Sequence, residues 1–225
     1  MAHHLLRSTL DGCKVTHLLR ATDYYKSDAG VKEADTIILS GFEDIVGQGL
    51  SQQQRVQATL PFAAGGCGVR SPLTIRPAAR IAALASFYST GAERVGAPQY
   101  ARHIPSDQVV PVLQDLQNRL GPNFDPLPRW CGSLDALNRA DKEHSTQKWW
   151  TEALGKRAVI SLLDNLPARD QARLLEQQNS VGSAFMTTTP STALHTTIQS
   201  DLYRLGLKWW LGMKLICEAD DTLVC

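Results

Sequence analysis

Apolar side chains recur along this chain at steps of three and four, the spacing that puts them on one side of a helix. Over residues 29–46, Val31, Ala34, Ile38, Phe42 and Ile45 form such a stripe. Residues 3–22 carry Leu5, Leu6, Cys13, Leu18 and Leu19 at roughly helical intervals around Gly12, and Ser51 is placed to cap a short helix through Gln57. Residues 106–120 bring Val109, Val112 or Leu113, Leu116 and Leu120 to one side. Further helices are expected over 145–165, over 167–178 after Leu166-Pro167, and over 194–211 with Ile198, Leu202, Leu205 and Trp209 as the apolar line. The Thr-rich stretch ending at Pro190 reads as extended.

Breakers divide these helices. Gly65-Gly66-Cys67-Gly68 places three glycines in four residues, which fits a turn or a close approach of backbone rather than a regular element. Ser71-Pro72 then supplies an N-cap and a first-turn proline for an alanine-rich helix over 72–90. Residues 91–104 read as a linker and 121–132, with three prolines, as a loop. The fold class that follows is mainly α, with helical bundle-like segments joined by Pro/Gly loops and little β. Residues 1–92, 93–132 and 133–225 form the expected divisions.

Composition narrows the function classes. With 43% hydrophobic and 20% charged residues the chain can build a core. Its net charge of +1 means that any nucleic-acid binding must come from a local basic patch. No apolar run approaches the roughly 20 residues of a membrane span, and Arg7 and Asp11 spoil the N-terminus as a signal peptide. Five scattered cysteines without a C-x-x-C pair favour reduced thiols and a cytoplasmic or nuclear location.

Each chemical motif has a bland rival. Gly65–Gly68 lacks the Lys-Ser/Thr of a phosphate loop, and Cys67 has no histidine near it in sequence, so a structural turn with a buried thiol is preferred to a nucleophile. Asp220-Asp221 imitates a metal-binding aspartate pair without the aromatic residue and strands that would aim it, and reads as a solvated turn. The histidines show no ligand spacing. Arg76 and Arg80 share a helical face and, with Arg70, Arg94 and Arg102, offer a backbone-tracking group; the rival is a solvated helix face. In Trp149-Trp150 and Trp209-Trp210, base stacking competes with one ring in the core and one at the surface, and the core reading is preferred.

Four segments in order carry a resemblance: Leu5-Leu6-Arg7 through Cys13-Lys14 to Leu18-Leu19-Arg20-Ala21-Thr22; Gln57-Ala58-Thr59-Leu60-Pro61 with Gly65-Gly66-Cys67-Gly68-Val69-Arg70-Ser71; Ala78-Ala79 through Ala83 to Ser86; and Gly182-Ser183-Ala184-Phe185 through Thr188-Thr189-Pro190-Ser191 to Leu202 and Gly206. Together they resemble the region that follows the palm in non-LTR retrotransposon reverse transcriptases, with leucine usual where Cys67 stands. The resemblance implies a thumb-like helical unit and its continuation, without the catalytic aspartates and without enzymatic activity of its own. Its partners would be RNA or an RNA–DNA duplex, and a separately encoded polymerase core, with no membrane and no small-molecule substrate. Lys14, Arg20, Arg70, Arg76 and Arg80 are the implied nucleic-acid contacts. The family's Cys/His cluster would begin near Cys217 and Cys225, an incomplete site for which no zinc or other cofactor is expected. A helical protein-interaction module and a retroelement remnant without selected function are the competing readings.

Overall fold

The polar positions of the long helix Asp28–Val46 (α3) explain its placement as well as its apolar ones do. Val31, Ile38, Phe42 and Val46 are buried along one side, and Asp35 is buried in the same stripe. The computed structural model describes residues 2–7, 14–24, 26–86, 106–121, 147–179, 183–188, 191 and 193–215. Among these the chain is mainly helical, with no strand. α1 is Ala2–Leu5, α2 Lys14–Ala21, α4 Gln52–Thr59, α5 Pro72–Ser86, α6 Ser106–Leu120, α7 Gln147–Asn165, α8 Ala168–Glu176, α9 Ala184–Thr187 and α10 Ser200–Trp210.

Most boundaries have local causes. Ser51 and Gln54 form a reciprocal capping box at the start of α4. Pro72 stands at the first position of α5, where its missing N–H costs nothing, and Ser71 Oγ accepts from Thr74 N at 3.1 Å. Two expectations are refined. The Thr-rich segment begins inside α9, whose last residue is Thr187, and turns extended at Thr188; the Thr187 and Thr188 hydroxyls bond back to carbonyls of Ser183 and Ala184, and Thr189-Pro190 lie outside the described residues. The terminal helix starts at Ser200, and its expected core line faces outward: Ile198, Leu202, Leu205 and Trp209 are exposed, while Leu207 and Trp210 are buried. The expected helix over 3–22 is seen as α1 and α2, and residues 8–13 lie outside the described ones, as do the linker 91–104 and residues 122–132.

The chain forms two compact units, each discontinuous in sequence: Met1–Ser8 with Ile37–Val69 and Ala158–Cys225, and Thr9–Thr36 with Arg70–Arg157. Neither coincides with the expected divisions at 92 and 132. In the first unit, Leu6, Phe42, Val46, Ala58, Cys67, Val69, Met186, Leu207 and Trp210 close one core, and Leu60, Leu162 and Leu174 a smaller one. In the second, Ala78, Ile81, Ala85, Val112, Leu116 and Trp150 form the larger cluster, and Leu19, Val31, Ile75 and Ala79 the smaller. Ala78, Ala79, Ala82 and Ala85 of α5 are buried without leaving bulk between helices, which is what an alanine-rich helix allows.

Candidate functional site

In the first unit the glycine-rich segment is a tight turn with no room for side chains. A Cβ on Gly66 would stand 2.0 Å from the Leu60 carbonyl oxygen, and Gly65 and Gly68 have φ of 79° and 68°. The turn closes through Gly68 N to Leu60 O at 2.9 Å and Val69 N to Ala58 O at 3.1 Å. Its carbonyls face a buried polar knot. Trp210 Nε1 donates to Gly65 O at 3.0 Å, and Gln57 Nε2 lies within bonding distance of Gly65 O, Gln177 Oε1 and Trp210 O. Gln177 Nε2 (2.7 Å) and Arg173 Nη1 also donate to Trp210 O, so the carbonyl ending α10 is fully satisfied.

Cys67 is wholly buried in that core, and burial pushes its thiol up, so the side chain packs as a neutral apolar group. Its carbonyl accepts from His3 Nε2 at 3.0 Å, and His3 Nδ1 lies 2.5 Å from the Tyr203 hydroxyl. Burial holds His3 down at about pKa 4 and lifts Tyr203 to about 12, so the ring is neutral, donating at Nε2 and accepting at Nδ1. Beside it opens a cavity of about 390 Å³ whose walls include His3, Asp44, Phe185, Thr196, Tyr203 and Arg204. Both His3 nitrogens are engaged within the fold, and His4 also lines that space. Among the described residues, no three His, Cys, Asp or Glu side chains could hold a metal.

The basic candidates lie in the second unit, where the structure separates them. Arg76 is not on a solvated face: it is buried, Nη1 donates to Asp28 Oδ1 at 2.7 Å, and its guanidinium stacks 4.1 Å from the Tyr24 ring centroid. The bonds from Lys32 and then Arg76 hold the Asp28 carboxyl below its ordinary range. The Tyr24 hydroxyl donates to Asp115, and burial together with that bond pushes it up. Arg80, one turn further along α5, is half-buried. Its Nη1 donates to the Arg20 carbonyl at 3.0 Å, which brings Arg80 against the end of α2, where Arg20 is exposed. Arg80 Nε is buried without a hydrogen-bond partner. Arg70 is exposed immediately before Ser71, and Lys14 opens α2.

Trp150 and Trp210 are fully buried, while Trp149 is half-buried and Trp209 exposed. Cys13, Cys131, Cys217, Cys225 and the Asp220-Asp221 pair lie outside the described residues. Sequence reasoning missed His3, Gln57, Gln177, Tyr24 and Asp35. Of these only Asp35 leaves a local signal, a carboxylate inside an apolar stripe; its partner, the Ser71 hydroxyl, is 36 positions away. Among the described residues, no helix is long and apolar enough to cross a membrane. Comparison of the chain with protein-family models, with curated proteins and with solved structures yields no match.

Proposed function

We propose that this chain is a non-catalytic helical scaffold related to the region beyond the palm of non-LTR retrotransposon reverse transcriptases, and that it grips RNA or an RNA–DNA duplex through phosphate contacts. The observation that carries the reading is the Arg20–Arg80 pair at the meeting of α2 and α5: Arg20 exposed, and Arg80 tethered through one of its five donors. Arg70, exposed just before α5, is the second candidate contact. Arg76 acts differently from the sequence expectation. Bound to Asp28 and Tyr24, it fixes α5 against the α2–α3 connection and so positions Arg80 instead of touching phosphate.

The glycine-rich segment supports the same reading from the structural side. Its glycines and Ser71 serve the turn and the helix start, as expected of a scaffold motif, and nothing there is aimed at a reacting group. A filter-binding titration of the intact chain with RNA and with an RNA–DNA duplex at several salt concentrations, repeated with Arg20→Glu, tests the proposal.

A further inference from the structure

α10 is apolar on two opposite sides. Leu207 and Trp210 turn into the core of the first unit, with Gly206 close against the Phe185 ring. The other side carries Leu202 (58% exposed), Leu205 (44%) and Trp209 (52%), while Ile198 stands outside the helix, beyond the extended N-cap Gln199. A helix that is apolar on two opposite sides normally buries both. Leu202, Leu205 and Trp209 follow a three-four spacing, the alternation of a and d positions along a coiled-coil seam.

We infer that this face pairs with the same face of a second copy of the chain, with the two α10 helices antiparallel. The charges beside the seam decide both the occupant and the direction. Asp201 and Lys208, seven residues apart, lie on one flank, while Gln199 and Gly206 lie on the other. In an antiparallel pair centred between Tyr203 and Arg204, Leu202 meets Leu205 of the partner subunit and Trp209 packs against the N-terminal end of the partner helix. Asp201 then opposes Lys208 of the partner subunit, and the twofold axis repeats the pair. A parallel pair would set Asp201 against Gly206 and leave it uncompensated. The exposed tryptophan supplies the large, rigid anchor that such contacts use. The helix has 11 residues, about 16 Å of seam, so the dimer is reversible and concentration-dependent.

Sedimentation velocity of the full chain in reducing buffer across the micromolar range tests this, and the inference does not depend on nucleic-acid binding. The wild type should pass from monomer to dimer. L202D and L205D should remain monomeric with unchanged melting at low concentration, since both side chains are exposed. D201K and K208D should each weaken association about tenfold, and the double exchange should restore it. A wild-type chain that stays monomeric, or dimers that survive L202D, would overturn the pairing. Failure of the double exchange to restore association would overturn the antiparallel arrangement. Binding of Trp209 to anionic phospholipid vesicles by a strictly monomeric chain would give the face to a membrane surface instead.

Discussion

Arg76 donates from Nη1 to Asp28 Oδ1 at 2.7 Å, an ion pair in which the guanidinium is buried and the carboxylate lies toward solvent. Because the cation is the desolvated partner, removing the acid and removing the base are unequal changes. Arg76→Met should lower the melting temperature by several degrees, through loss of the pair and of the stacking on Tyr24. Asp28→Asn should cost more than an ordinary surface change, because it leaves the buried guanidinium without its counter-charge. With the Asp28 carboxyl held below its ordinary range, its contribution is complete above that range and disappears as pH falls through the lowered value. Thermal melts of both variants at neutral and acidic pH check the order and the sign.

The buried His3 makes a second pH prediction. Its ordinary pKa of 6.5 falls to about 4 in the folded chain. Between those values the unfolded chain binds a proton on this ring that the folded chain excludes, so stability drops as pH falls through that window. The slope attributable to His3 is on the order of 1.4 kcal/mol per pH unit. His3→Ala should be less stable at neutral pH yet should lack this component. Denaturant titrations of both proteins between pH 7 and pH 4 would contradict the assignment if the two curves ran parallel.

Two glycines should respond in opposite directions to the same substitution. Gly66→Ala drives a Cβ into the Leu60 backbone and should cost at least about 3 kcal/mol. Gly30, exposed near the start of α3 with nothing within 4 Å of an added Cβ, should gain roughly 0.5–1 kcal/mol from alanine. Equilibrium unfolding of the two variants checks the contrast. A broad, non-cooperative melt of the wild type would instead favour the remnant reading.

The sequence signals that succeeded were local. Ser51 with Gln54, Ser71 with Pro72, and the steps from Val31 to Phe42 act within one or two turns, so α3, α4, α5 and α6 were legible to within a few residues. The phase of α10 was not. With apolar residues on both sides, periodicity alone does not choose which side meets the core, and Gly206 against Phe185 settles it from a contact 21 positions away. The placement of Arg76 was illegible for the same reason. Arg76 and Arg80 share a face by spacing, but Asp28 and Tyr24, distant in sequence, draw one of them inward. His3 had no local signal, since its environment is made by Cys67 and Tyr203.

The proposal that Arg20 and Arg80 contact phosphate is tested most directly by the salt dependence of RNA and RNA–DNA binding. Affinity should fall steeply with salt, and Arg20→Glu should weaken binding to unrelated sequences alike and flatten the log–log slope by about one unit. Arg70→Glu should do the same. Absence of salt-sensitive affinity at low ionic strength, or an Arg20→Glu variant that binds with unchanged affinity and slope, would contradict the account.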